Sequence, residues 1–345
     1  MIRYGILGFG LHAVRRLMPG FALASNSRVT ALSRRDIKQA RASAAEYNIP
    51  HAFDSAADLC RSPEVDAIFV ATPDCSHLKD VLLAVESGKP VLCEKPMGMN
   101  AGECRQMVAA ARRAGLLLGV AQVFRFERST ARLHERVAEG QVGRPVFVRA
   151  EFSYPARTHP RKWLTDARMA AGGPIADVGV HCIDALRYIL SDEVVRVTAS
   201  GVSDRDSGDV EAAAVLSLEF ARRTLGSVLV STRAEYRTPL EIVGETGVLR
   251  AENGLSVDRP IEIEFCRGSG IVEKEIVSNA DAYARQVDTF SAAIEGKAEF
   301  PTPGEEGLQN QEVLDGAYRS LKSGKAQSVP LIIEKSTKVR GRKPQ

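Results

Sequence analysis

The chain opens with short apolar runs alternating with longer segments of helical spacing. Arg3–Leu7 is a short apolar run and Leu11–Ala24 repeats its apolar positions at the helical period. Val29–Ser33 reads as a strand and about Asp36–Tyr47 as a helix. Val65–Ala71 reads as a strand, the segment near His77–Ser87 as a helix, and Pro90–Cys93 as a strand. Ala101–Ala114 then has helical spacing and Leu116–Val120 is again strand-like. Near-continuous apolar strands alternating with helices predict a parallel sheet covered on both faces. Right-handed crossovers make such a sheet doubly wound.

After residue 123 the rhythm changes. A helix over Ser129–Glu139 ends at Gly140 and leads to a strand over Pro145–Phe152. An irregular aromatic and basic stretch, 154–168, is followed by a helix over Pro174–Leu190. β-rich segments then succeed one another at Val194–Val202, Ala212–Phe220, Thr224–Thr232, Leu240–Val243, Val248–Ala251 and Ile261–Cys266. This succession predicts a large, mainly antiparallel sheet, closed by helices near Tyr283–Glu295 and Glu305–Ser323. The expected fold is therefore α/β: a doubly wound parallel domain over 1–122, an α+β domain over 123–333, and a basic tail over 334–345.

Composition narrows this picture in four ways. At 345 residues the chain exceeds one ordinary core, and 44% hydrophobic with 26% charged residues is globular rather than disordered. No apolar stretch reaches the roughly 18 residues of a membrane span, and Met1–Gly8 runs straight into a strand pattern without a basic leader. A cytoplasmic protein without a membrane or secretory address is the expectation. The six cysteines are scattered with no C-x-x-C pair, which predicts reduced thiols and no metal site; Cys93 reads as packing. The net charge of +3 is local, because 334–345 carries five bases and one acid. That tail reads as a solvated end rather than a nucleic-acid patch, so no nucleic-acid partner is expected.

The candidate chemistry lies where strands end. Gly8-Phe9-Gly10-Leu11-His12-Ala13 follows the first strand and opens the first helix, a G-x-G-x-x-A dinucleotide fingerprint. Gly8 permits the turn, Gly10 admits a pyrophosphate, and Ala13 lets the helix pack close; the helix N-terminus faces the phosphates. His12, at a variable position, reads as solvated. At the end of the second strand Ser33, Arg34 and Arg35 stand where an acid would bind the ribose hydroxyls of NAD. A guanidinium there fits a 2′-phosphate, which predicts NADP(H) preferred, with NAD(H) possible. Thr72 and Pro73 close the next long strand and are expected to line the cofactor, while His77 can either cap a helix or touch ligand. Glu94-Lys95-Pro96 ends the following strand at the same sheet edge. The dinucleotide-binding candidates are thus Gly8, Phe9, Gly10, Leu11, Ser33, Arg34, Arg35, Thr72, Pro73, His77, Glu94, Lys95 and Gln122. Gly172-Gly173-Pro174 leads into a helix on which Asp177 and His181 are four apart and share a face. A carboxylate orienting an imidazole makes a proton acceptor for an alcohol, so Lys95, His181 and Asp177 are the catalytic candidates.

Together these runs resemble the glucose–fructose oxidoreductase, inositol dehydrogenase and rhizopine-catabolism family of two-domain dehydrogenases. The resemblance continues through Val243-Gly244-Glu245-Thr246-Gly247 and the ending Tyr283, Phe290 and Ala293-Ile294-Glu295-Gly296. It implies a Rossmann domain, then an α/β domain whose open sheet forms a homodimer or homotetramer interface. It further implies that Lys95 contacts nicotinamide ribose and substrate, and that His181 is the general acid/base with Asp177 nearby. The substrate classes implied are sugars, polyols and trans-dihydrodiols, 1,5-anhydrofructose among them. One departure weighs against the last: members reducing it carry an arginine directly after the tryptophan matching Trp163, whereas Leu164 follows here, with Arg161 or Lys162 as substitutes. Arg125, Tyr154, Arg157, His159 and Trp163 are candidates for substrate contact or for packing. The same scaffold also serves nicotinamide-assisted glycoside cleavage and dinucleotide-sensing regulators, the two competing readings.

Overall fold

The computed structural model describes residues 1–156, 161–257 and 259–332. The first sheet comprises β1 (Ile2–Leu7), β2 (Ser27–Ser33), β3 (His51–Phe53), β4 (Ala67–Val70), β5 (Val91–Cys93) and β6 (Leu118–Val120). Its order is β3-β2-β1-β4-β5-β6, every described pair parallel, as the apolar runs predict. The crossovers are α1 (Met18–Leu23, entered through a π turn at Ala13–Leu17), α2 (Ile37–Glu46), α3 (Ala56–Arg61), α4 (Asp74–Glu86) and α5 (Ala101–Ala114). Asp36 caps α2 by accepting from the Lys38 and Gln39 amides, and Asn100 caps α5 through the Glu103 amide. β3 and α3 go unforeseen because three half-buried residues and a six-residue helix are too short to show a period. α4 begins three residues earlier than the apolar spacing suggests, so His77 lies inside its first turn instead of capping it.

The second sheet has nine strands: β7 (Pro145–Ser153), β8 (Val194–Val202), β9 (Ala213–Phe220), β10 (Leu225–Ser231), β11 (Leu240–Gly244), β12 (Val248–Ala251), β13 (Ile261–Arg267), β14 (Gly270–Val277) and β15 (Gln327–Ser328). The order is β14-β13-β12-β11-β7-β10-β9-β8-β15. Only β7 and β10 run parallel among the described pairs. β14 is an exposed edge strand and β15 has two residues, so neither carries a burial pattern that betrays it. The helices α6 (Arg128–Ala138), α7 (Val180–Leu190) and α9 (Gly304–Ser323) cover one face. The chain also returns to the first sheet. α8 (Ala282–Ile294) packs on α1, Tyr4 Oη bonds Val287 O, and Thr302 exchanges hydrogen bonds with Val120. Among the described residues no helix is long and apolar enough to cross a membrane, and no cluster of metal-ligating side chains occurs. The tail from 334 lies outside the described residues.

Candidate active site

The carboxyl ends of β1, β2, β4 and β5 open into one cleft of about 1040 Å³ whose far wall comes from the second sheet and α7. Gly8 turns the chain at φ +80°, and a Cβ there would lie 2.8 Å from Ala71 O and from the Thr72 amide. A Cβ on Gly10 would meet nothing nearer than Gly8 O at 3.8 Å. The space beside Gly10 is therefore open cleft, which is the cradle a pyrophosphate needs. Phe9 and Leu11 line the same floor, and the Phe9 amide donates to Ser33 O at 3.0 Å, joining the turn to the end of β2. Ser33, Arg34 and Arg35 line the distal end. The Arg34 guanidinium is fixed by Ser43 Oγ at 2.8 Å and Gln39 Oε1 at 2.9 Å. These residues fit a bound dinucleotide.

The other end of the cleft gathers the reactive groups. Lys95 Nζ donates to the Asp177 backbone carbonyl at 2.6 Å and lies 3.4 Å from Oδ1. Tyr154 Oη donates to Asp177 Oδ2 at 2.5 Å. Burial pushes the Asp177 carboxyl up, but the Lys95 ammonium, then Arg161 and the Tyr154 hydroxyl, outweigh it and hold the acid well below the usual range. His181 sits in an aromatic box, with Phe124 edge-on at 4.7 Å and Phe152 stacked at 6.2 Å. Its Nδ1 is buried without a hydrogen-bond partner. Burial, reinforced by Lys95 and opposed by Asp177, keeps the imidazole well below its ordinary pKa and hence neutral at pH 7. The described hydrogen bonds of the Asp177 carboxylate thus go to Tyr154 and Lys95 rather than to His181. The element carrying Asp177, Ile175–Gly179, is a π turn that continues into α7. Its entry is held by the buried Glu211 carboxylate, which accepts from the Gly173 and Ile175 amides at 3.1 and 2.9 Å and from Tyr318 Oη at 3.1 Å. A Cβ at Gly172 would fall 1.7 Å from Tyr318 Oη, so that glycine serves close packing. Glu211 and Tyr318 escape sequence reasoning because nothing local marks them.

Several expectations need correction. Arg125 faces away from the cleft: it is nearly buried, donates to Asp184 at 2.9 and 2.7 Å and to Glu306 at 2.6 Å, and lies over the Tyr188 ring. The short turn Val123–Phe126 presents Phe124 to the cleft and Arg125 to that acidic cluster. Gln122 is 1% exposed and does not line the cleft; its Oε1 is buried and unpartnered. His12 is not solvated, since its Nε2 lies 2.8 Å from Glu94 Oε1. His77 lines the cleft, but its two ring nitrogens face Pro96 O at 3.0 Å and Thr72 O at 2.9 Å, so it bridges the two loops. Thr72, Pro73, Glu94, Tyr154 and Trp163 line the cleft. Of the two bases preceding Trp163, Arg161 lines it and Lys162 does not. Arg157 and His159 lie outside the described residues. Cys93 is fully buried, as packing requires.

Comparison with known proteins fits this architecture. Residues 2–122 match an oxidoreductase family with an NAD-binding Rossmann fold, and 130–250 match the GFO/IDH/MocA C-terminal domain. The chain belongs to this family of oxidoreductases. A 1,5-anhydro-D-fructose reductase of Ensifer adhaerens is 28% identical over 95% of this chain and 99% of its own. A trans-1,2-dihydrobenzene-1,2-diol dehydrogenase of Bos taurus is 32% identical over 72% of this chain and 73% of its own. The crystal structure of an aldose-aldose oxidoreductase from Caulobacter crescentus, complexed with glycerol, superposes with a TM-score of 0.87 at 25% identity, covering 95% and 99% of the two chains.

Proposed function

We propose that this oxidoreductase interconverts a carbinol and a carbonyl carbon of a sugar, polyol or dihydrodiol, using NADP(H) in preference to NAD(H). The observation carrying this reading is the meeting of Lys95, Asp177 and His181 in the cleft that begins at the glycine turn. A nicotinamide dinucleotide held along Gly8, Gly10 and Arg34 would supply the hydride acceptor for oxidation and the donor for reduction. Lys95, anchored on the Asp177 carbonyl, presents its remaining N–H groups to the substrate oxygen and stabilises negative charge there. His181, with Nδ1 enclosed, takes the hydroxyl proton at Nε2 and returns it in reduction. Tyr154 holds the Asp177 carboxylate so that Lys95 keeps its position. Trp163, Phe152 and Tyr236 offer the substrate an apolar wall.

Cofactor preference follows from Arg34, preset by Ser43 and Gln39, and the exposed Arg35 beside it. A panel of polyols, aldoses, ketoses, inositols and dihydrodiols, followed by nicotinamide absorbance, tests the reaction. At least tenfold higher kcat/KM with the NADP(H) couple is expected; preference for NAD(H) contradicts the cofactor reading. Net reduction of cofactor separates this reaction from glycoside cleavage. We also propose a homodimer or homotetramer through the open face of the second sheet, where Phe147, Val215 and Leu225 are about half exposed. Light scattering that finds a monomer rules this out.

A further inference from the structure

We propose that His12 is a positioning residue that links the dinucleotide turn to the loop carrying Lys95. Glycine turns of this kind tolerate many residues at that position, yet here the side chain is used. His12 Nε2 reaches 82 residues along the chain to Glu94 Oε1 at 2.8 Å. Glu94 is 9% exposed, and its other oxygen, Oε2, accepts from the Lys95 amide at 3.3 Å. The path therefore runs from the helix behind the pyrophosphate cradle, through one carboxylate, to the backbone of the residue whose ammonium meets Asp177. The Tyr283 ring, centred 6.2 Å from the imidazole, packs beside it. Burial alone would drive Glu94 toward its neutral form; the imidazole, followed by Lys95, keeps it ionised. A buried carboxylate that loses its strongest partner must find another, take up a proton or move. Each of those responses alters the carboxyl group that accepts the Lys95 amide.

This inference rests on the reading of the cleft as a dinucleotide site, and the test separates the two. Dissociation constants for NADPH are measured by fluorescence titration on the full chain carrying His12→Ala, His12→Gln, Glu94→Gln and His12→Ala/Glu94→Gln, beside steady-state kcat and KM. His12→Ala is expected to weaken NADPH binding about tenfold and to lower kcat about as much, the scale of one buried charge-assisted hydrogen bond. His12→Gln, which retains an N–H for Glu94, is expected to come back to within about threefold of wild type in both. The double variant should lose no more than His12→Ala alone, because both changes break one link. The proposal is overturned if His12→Ala stays within about twofold of wild type in both readouts. It is equally overturned if His12→Gln is as impaired as His12→Ala, or if the two single losses multiply in the double variant. Wild-type chain that fails to bind NADPH or NADH would instead remove the reading of the cleft itself.

Discussion

Tyr154→Phe isolates one hydrogen bond at the centre of the site. The substitution deletes the hydroxyl that donates to Asp177 Oδ2 at 2.5 Å and leaves the ring in place. Asp177 keeps Lys95, but Nζ stands 3.4 Å from Oδ1 and does not serve Oδ2. A buried carboxylate oxygen short of one charge-assisted hydrogen bond costs about 1.5–3 kcal/mol. Tyr154 is half-buried, so water replaces part of the contact and the lower figure is expected. With a urea slope of about 3 kcal/mol/M, that is a midpoint shift of about 0.5 M at unchanged slope. The loss depends on pH. Asp177 is held below the ordinary carboxylate value in the folded chain, so its stabilisation is complete above about pH 4 and lost as pH falls through the folded pKa. The gap between wild type and variant should narrow below about pH 4. Equal stability at pH 7, or a gap that ignores acidification, refutes the assignment of this bond.

Further consequences concern His181 and the buried ion cluster. Because the folded imidazole titrates well below 6.5, kcat/KM for alcohol oxidation should stay level through pH 6.5 and fall only at lower pH; an acid limb above 6.5 contradicts this. The unfolded chain takes up this proton below pH 6.5 while the native chain resists it. Stability therefore drops by up to about 1.4 kcal/mol per pH unit from this group, a slope His181→Phe should abolish in urea midpoints measured between pH 5 and 7. Arg125→Met should destabilise by about 3 kcal/mol, the lower end for breaking a buried pair, because Arg187 and Asn310 still hold Glu306 and Asp184. Its KM for substrate should stay within about threefold, and a large KM increase at normal stability would return Arg125 to the cleft.

The parts of the fold legible in the chain are those whose local geometry is demanding. A glycine pair between strand and helix, strand-end tripeptides and Gly172-Gly173 before Asp177 all impose backbone requirements that side-chain pattern reveals. What escaped are partnerships between distant segments. Nothing near Glu211 signals that it caps the turn at Gly173, and nothing near His12 announces Glu94. Arg125 is open between substrate contact and packing in the sequence for a related reason: its position after β6 is compatible with the cleft, and one short turn decides that the side chain packs on Asp184 and Glu306 instead. The spacing of Asp177 and His181 predicts a shared helix face; Asp177 lies on the π turn that leads into α7, and its hydrogen-bond partners are Tyr154 and Lys95 from other elements.

The proposed chemistry requires the Lys95 ammonium to act on the substrate oxygen rather than on cofactor retention. Lys95→Ala, assayed for turnover and for NADPH binding on the same preparation, measures this directly. The expected result is at least a hundredfold loss of kcat, the scale of one preorganised donor, with the NADPH dissociation constant within about threefold of wild type. Turnover near the wild-type rate would contradict it.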